Sequence, residues 1–508
     1  MVSSKASVDK LQQLLATQAT RQPDAIALWW QGVATTYAAL NNRVLALAAR
    51  LASSGRVGDR VAVLAWNCPA FMELIYAVPA SGRVLVPLNA RLAPAELIYQ
   101  LQSAGVSTLF ADPELLEPVA HHADFPGDIQ VIKLQVEYEH WLASGPTAQL
   151  PETAQDDPVW ILYTSGSTGR PKGAVLTHQS FMAGLGSAAL GRPVAADDKY
   201  LYPFPLFHVA AHNVLLQHQY GAAVVLTRSF DPGTTLQACR ELQVTTLSLA
   251  PTMIAMLLDH ADFSAADLHC VRTIGYGASA MPQTLLQRLL SETDVGLCQS
   301  YGMTELSGCA AFLTVEDHRL AATTRPELLQ SVGRPLPSVE ITLVNDDGLS
   351  CATGERGEIL VKAAQCMRGY WQQPEATAKA IVDGWLHTGD IGRFDHEGYL
   401  YIVDRKKDMI VSGGENVASK EVEEVLRLHP TVKDCAVIGL ADDKWGELLC
   451  AVLQLKGEVS DQELGDHCRT HLASYKTPKR WVRVAALPVN ASGKIDKPAL
   501  RLAQAAIT

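Results

Sequence analysis

The sequence has no run of roughly 18 apolar residues, the length a membrane-spanning helix needs. The stretch from Leu74 to Leu88 comes closest, and Pro79, Gly82, Arg83 and Pro87 interrupt it. The first residues, MVSSKASVDKLQQLL, lack the continuous apolar core of a secretory signal. Ten cysteines are scattered without a C-x-x-C pair. They read as buried free thiols in a reducing compartment, so a cytoplasmic location is expected. A basic excess is also missing: 42 Lys and Arg stand against 53 Asp and Glu, a net charge of -11. With no basic stripe either, nucleic acid is not the expected partner. Internal repeats and low-complexity tracts are absent.

What is present is a folded composition, 48% hydrophobic and 19% charged. At 508 residues the chain is too long for one compact core, so two or more domains are expected. Short β-rich runs at 60–66, 83–88, 107–111, 159–164, 245–250 and 271–277 alternate with helical stretches such as TLLQRLLSE at 284–292. That alternation predicts an α/β fold of parallel, helix-covered sheets. From about Val339 the pattern changes to apolar–polar alternation around Asp-Gly and Arg-Gly turns. This predicts antiparallel hairpins and a β-barrel-like subdomain. A hairpin is expected at Asp395–Gly398. A boundary is expected near Asp404–Lys407, ahead of a small α+β unit with a helix near Ser419–Leu428 and strands at CAVIGL and CAVLQL.

The segment Tyr163–His178, YTSGSTGRPKGAVLTH, follows one of the predicted strands. It is not a Walker A loop, because Pro171 stands where G-x-x-x-x-G-K-[ST] requires its second glycine. Its chemistry still suits phosphate. Gly166, Gly169 and Gly173 permit close backbone approach. Successive N–H groups in such a turn form an anion-binding concavity. Thr164, Ser165, Ser167 and Thr168 add hydroxyls, and Lys172 adds a positive charge. Two other chemistries fit poorly. His208, His212 and His218 have the spacing of a zinc-protease motif, but Val209 replaces the general-base glutamate and Leu215 the glycine. No G-x-S-x-G elbow occurs, since GASAM at 277–281 ends in methionine.

The loop resembles the signature segment of the adenylate-forming enzymes: acyl-CoA synthetases, carrier-protein adenylation domains and luciferases. The likeness extends over nearly the whole chain. SYGMTEL (300–306) resembles that family's adenine and magnesium motif, and GWLHTGDIGRFDHEGYLY (384–401) its ribose segment. DRKKDMIVSGGENVASKEVE (404–423) resembles its hinge and the start of its C-terminal domain, and LPVNASGKIDKPALR (487–501) its terminal lysine motif. Five motifs in the family's order are far more specific than any one.

The resemblance implies two steps: a carboxylate attacks the α-phosphorus of ATP, and a thiol then displaces AMP from the acyl-adenylate. It implies an adenylation domain over 1–403, a hinge at 404–407 with Lys407 as its pivot, and a small mobile lid over 408–508. Lys494 would be the catalytic lysine of that lid. Glu305 and Thr164 would hold Mg²⁺. Thr164, Ser165, Gly166, Ser167, Thr168, Gly169 and Lys172 would hold the phosphates. Gly277, Ala278, Ser279, Ser300, Tyr301, Gly302, Met303 and Thr304 would surround adenine, with Tyr301 stacked on it. Asp390 would accept from the ribose, with Arg405 beside it. Ser412, Gly413 and Gly414 would line a coenzyme A tunnel.

The acid is read from the segment PFPLFHVAAHN (203–213). Amino-acid-activating members carry an aspartate after the phenylalanine, whereas His208 follows Phe207 here. The candidate pocket segments are Phe207–Asn213, Ile274–Met281 and Ser300–Gly308, mainly apolar or small, and within them Phe207, His208, Val209, Gly275 and Gly302 would line a pocket suited to a fatty, aryl or other hydrophobic acid. Expected co-substrates are ATP with Mg²⁺ and coenzyme A. A carrier-protein thiol as acceptor, and a non-catalytic acid or nucleotide binder, are the alternatives.

Overall fold

A computed structural model describes residues 8–144, 148–164, 171–277, 281–412, 415–442, 445–490 and 493–505. The chain divides into two compact units. The first comprises 1–341, 361–386 and 398–400, and the second 342–360, 387–397 and 401–508. The second unit takes in more of the β-rich middle than the segment 408–508 marked out from the sequence.

Two sheets organise the first unit. In the nine-stranded sheet the strands run Arg334–Pro335, Gly308–Leu313, Gly296–Met303, Thr273–Gly277, Thr246–Ser248, Lys199–Tyr202, Ala223–Leu226, Ile26–Trp30 and Val33–Thr36. Its centre is parallel, and antiparallel pairs occur only towards its edges. The seven-stranded sheet runs Gly369–Tyr370, Lys172–Thr177, Pro158–Thr164, Val84–Pro87, Arg60–Leu64, Val106–Ala111 and Gln130–Lys133. The β-branched and leucine-rich runs form its parallel strands because both faces are covered. Val84, Val86, Ala62, Leu64, Leu109 and Ile161 are buried with Leu97, Ile98 and Leu101 of the helix Pro94–Ala104. The Leu74–Leu88 stretch is part of this architecture. It forms most of the helix Pro69–Ala80 and the strand Val84–Pro87, not a span. No helix of the described residues is long and apolar enough to cross a membrane.

The alternating middle of the chain forms a five-stranded sheet, Glu340–Val344, Gly357–Lys362, Trp385–Phe394 and Ile381–Val382, with Leu400–Arg405 paired to Trp385–Phe394. In the second unit, Val432–Asp442 and Gly446–Leu455 form a long antiparallel pair. Ile410–Ser412 and Arg480–Arg483 extend it on the side of Gly446–Leu455. One face buries Val422 and Leu426 of the helix Ser419–Arg427 with Leu464 and Cys468 of the helix Asp461–His471. The other packs on Leu500 of the helix Lys497–Ala505. All ten cysteines are free, and six of them are buried.

Candidate active site

The phosphate segment is held by a hairpin. Pro158–Thr164 and Lys172–Thr177 pair antiparallel, and Thr164 stands opposite Lys172. Ser165, Gly166, Ser167, Thr168 and Gly169 lie outside the described residues. Thr164 Oγ1 donates to Glu305 Oε1 at 3.2 Å, so residues 141 positions apart meet at the loop's base. Glu305 is buried in the short turn Thr304–Leu306, and its carbonyl accepts from the Met367 amide at 2.8 Å. Tyr370 donates a second hydrogen bond to the same Oε1, at 3.0 Å.

Tyr370 was not among the residues expected from the sequence. Its backbone pairs with Ala174 at the edge of the seven-stranded sheet, and Lys172 Nζ lies 5.1 Å from its ring centroid. Burial, and then the Glu305 carboxylate, push its phenol well above the usual range, so it stays a neutral donor. Nothing in the spacing of CMRGYWQQP singles it out. Its role comes from a strand pairing almost 200 residues from Ala174.

Glu305 makes no ion pair with any described residue. A buried carboxylate normally has a cation. An acidic oxygen beside a hydroxyl oxygen, at the edge of a phosphate loop, is the donor set Mg²⁺ takes when phosphates and water complete its shell. The residues present therefore fit the metal the sequence implied.

The expected adenine segments are neighbours. Thr273–Gly277 runs parallel to Gly296–Met303, with Gly277 opposite Ser300. Both lie at the carboxyl ends of parallel strands, next to the antiparallel turn-back of Gly308–Leu313, where open α/β sheets bind ligands. Tyr301, Met303 and Thr304 are half-buried. Gly302 has no room for a side chain: a Cβ there would fall 1.9 Å from the Gly308 carbonyl oxygen. Ala278 and Ser279 lie outside the described residues.

Asp390, Arg405, Lys407 and Lys494 all belong to the second unit. Asp390 is 4% exposed and pairs with Arg405 Nε at 2.8 Å. Its amide donates to Thr388 Oγ1, which in turn donates to the Ile359 carbonyl. Lys494 sits in a turn closed by its amide on Asn490 Oδ1 at 3.0 Å and its carbonyl on the Asn490 amide at 2.7 Å. Its ammonium is pushed below the usual lysine range by desolvation, then by Arg405 and Lys407, with Asp390 opposing. The residue as a whole is exposed, and the two like charges act in the same direction as the desolvation of its ammonium. Lys407 is exposed in the turn Lys406–Asp408. The flanking Asp404 and Asp408 are tied to Ser419 and Arg501, at 2.7 and 2.8 Å. Ser412 is buried, and its hydroxyl has no hydrogen-bond partner among the described residues. Gly413 and Gly414 lie outside the described residues.

Phe207 is buried against the ring of His208, centroids 4.8 Å apart, and Val209 opens a short turn that leads into the helix His212–Tyr220. The histidine spacing has a different explanation from metal binding. His218 Nδ1 lies 2.7 Å from the Tyr76 hydroxyl, and its Nε2 lies 3.0 Å from the Ala27 carbonyl. Both nitrogens are engaged, so His218 is a core residue. His212 Nδ1 bonds the Val209 carbonyl at 2.9 Å. Among the described residues no cluster of three His, Cys, Asp or Glu side chains could hold a metal.

Residues 15–371 match the AMP-binding enzyme family, and 421–494 match the AMP-binding enzyme C-terminal domain. The chain belongs to the AMP-binding enzymes. It is 39% identical to a feruloyl-CoA synthase of an Amycolatopsis species, over 95% of this chain and 97% of that one. It is 36% identical to the long-chain-fatty-acid–CoA ligase FadD13 of Mycobacterium tuberculosis, over 92% and 93%. Among solved structures, the o-succinylbenzoate CoA synthetase of Bacillus subtilis bound to its acyl-adenylate superposes with a TM-score of 0.87 at 33% identity, covering 96% of this chain and 97% of that one. This AMP-binding enzyme is an acid–thiol ligase.

Proposed function

We propose that this AMP-binding enzyme joins a carboxylic acid with a largely apolar body to coenzyme A through an acyl-adenylate, with the described residues in the roles that follow. The observation that supports these roles most strongly is the Thr164–Glu305–Tyr370 cluster at the base of the phosphate hairpin. In the first step a carboxylate oxygen of the acid bonds to the α-phosphorus of ATP. The bond from that phosphorus to the bridging oxygen breaks, and pyrophosphate leaves. The nucleophile is already an anion at pH 7, so no general base is required. Positioning and charge neutralisation carry the step.

Mg²⁺, when bound, would offset phosphate charge on the leaving group. Thr164 and Glu305 supply its oxygen donors, and Tyr370 holds the Glu305 carboxylate in place. Ser165, Gly166, Ser167, Thr168 and Gly169 would hold the departing phosphates with Lys172. Tyr301 and Gly277 flank adenine, and Asp390, fixed by Arg405, accepts from the ribose. Lys494 donates to oxygens on which negative charge builds up. In the second step the coenzyme A thiol gives up its proton, its sulfur bonds to the acyl carbon, and AMP leaves. Rotation about Lys407 would exchange Lys494 for Ser412, Gly413 and Gly414 between the steps. The free thiols fit work in the cytoplasm.

The test is acid-dependent exchange of labelled pyrophosphate into ATP across fatty, aryl and polycyclic acids, followed by thioester detection with coenzyme A. Exchange with at least one acid and a coenzyme A thioester are expected. Silence with every acid would remove the adenylation reading. An adenylate that loads only a carrier-protein thiol would replace coenzyme A as acceptor.

A further inference from the structure

A buried cation packs against Gly275, one of the residues expected to line the acid pocket. Arg192 follows the helix His178–Gly191 and is 5% exposed. Its Nη1 donates to Ser248 Oγ at 2.8 Å, and its Nη2 donates to Thr246 Oγ1 and to the Leu247 carbonyl. All three acceptors are neutral. No described Asp or Glu pairs with Arg192, and its fourth polar neighbour, the Tyr200 hydroxyl, is neutral as well. Charged side chains this deeply buried are rarely left without a counter-charge, because the desolvation cost is otherwise unbalanced.

The position of the guanidinium matters as much as its missing partner. A Cβ on Gly275 would stand 2.6 Å from Nη1, so the cation packs on the bare face of the strand Thr273–Gly277. Two residues further along, that strand reaches Gly277, opposite Ser300 of the adenine segment. Arg192 also helps to push the His212 imidazole below its ordinary range. His212 belongs to the pocket segment 207–213 and lies against Gly308, the residue that crowds Gly302. The cation therefore packs on Gly275 and is held by Ser248, on the strand face that carries an expected pocket residue. Tyr200 locks it from behind: its hydroxyl donates to Ser248 Oγ at 2.9 Å, and its ring centroid is 5.3 Å from the guanidinium carbon.

We propose that Arg192 is the counter-ion for a second anionic group on the substrate, so that the preferred acid carries a carboxylate at the end remote from the one activated. The inference rests on the adenylation reading and narrows its substrate class. The body of the acid remains apolar, and its far end is charged. Arg192 is in this sense a specificity-determining residue and takes no part in bond making.

The test compares two acids of one skeleton, a phenylpropenoic acid and its para-carboxy analogue, by pyrophosphate exchange. The wild-type enzyme should prefer the diacid. Arg192→Met should raise KM for the diacid by about 30-fold or more, the usual consequence of truncating one partner of a buried charge pair, and leave the monoacid within a few fold. Arg192→Lys should recover part of the preference. Equal losses for the two acids, or a wild-type preference for the monoacid, would overturn the proposal while leaving adenylation intact. If Arg192→Met does not fold, wild-type selectivity and the lysine variant still decide. If no acid supports exchange, the adenylation reading fails, and diacid-over-monoacid protection against thermal unfolding still reports on Arg192.

Discussion

Replacing Tyr370 by Phe isolates one atom of the proposed metal-holding cluster. The ring stays, and with it the contact to Lys172 Nζ at 5.1 Å. The loss is the hydroxyl that donates to Glu305 Oε1 at 3.0 Å. Thr164 then remains the sole described donor to that oxygen, at 3.2 Å. A hydrogen bond to a charged group contributes about 1.5–3 kcal/mol, which corresponds to roughly 10- to 150-fold in an equilibrium constant at about 1.4 kcal/mol per decade. Loss of a group that orients a metal-binding carboxylate usually costs about 10- to 100-fold in metal affinity or activity. The two estimates agree, so the Mg²⁺ concentration for half-maximal pyrophosphate exchange should rise by at least about tenfold. KM for the acid should not move, because no described contact joins Tyr370 to Phe207, His208, Val209, Gly275 or Gly302. Thr164→Val should act in the same direction, and the double variant should show coupling, since both hydroxyls meet one oxygen. The raised phenol pKa keeps Tyr370 protonated through the assay range, so its removal should leave the pH profile in place. An unchanged Mg²⁺ requirement combined with a weakened acid would refute the assignment of this cluster to the metal.

Two further predictions follow from charge. Lys494→Ala should lower the adenylation rate by about 10²- to 10³-fold, the range for removing one preorganised donor, and largely spare thioester formation from pre-made acyl-adenylate; equal losses in the two half-reactions would sink the two-position scheme. His178, His212 and His218 are each pushed down to about 4 by burial. At pH above 6.5 both folded and unfolded chains carry them neutral; between pH 6.5 and 4 only the unfolded chain takes up the protons, so stability is lost as pH falls. The loss is about 2 kcal/mol per histidine by pH 5. Urea unfolding at a series of pH values should show it, with one proton fewer taken up in His218→Gln, and a flat stability between pH 6.5 and 5 would contradict the burial.

Much of this architecture was legible in the sequence, for reasons that differ by element. The parallel strands were visible because both of their faces are covered, which leaves short runs of Val, Leu and Ile. The predicted 107–111 and 159–164 became Val106–Ala111 and Pro158–Thr164. The run 60–66 was read too long, since the chain leaves the sheet after Leu64 and the Trp66 amide turns to Asp112 at 3.2 Å. The helix near Ser419–Leu428 was visible from its strong amphipathic spacing and is Ser419–Arg427. Several motifs recurring together single out Thr164, Glu305, Asp390 and Arg405, and the structure joins Thr164 to Glu305 and Asp390 to Arg405.

Tyr370 and Arg192 were not legible, and the reason is physical rather than a matter of motif length. A sequence advertises a charge through its neighbours in the chain, and the neighbours of Arg192 in LGRPVAADD are those of an ordinary solvated helix end. What buries it is the pairing of Thr246–Ser248 with Thr273–Gly277, more than 50 residues downstream, and the missing side chain of Gly275. The apolar look of the pocket segments has the same origin. Their small residues read as apolar lining, whereas the bare face of Gly275 is where the Arg192 guanidinium packs. If Arg192 meets a substrate anion as proposed, pocket-segment composition alone would miss that charge, because a glycine admits the cation from another element.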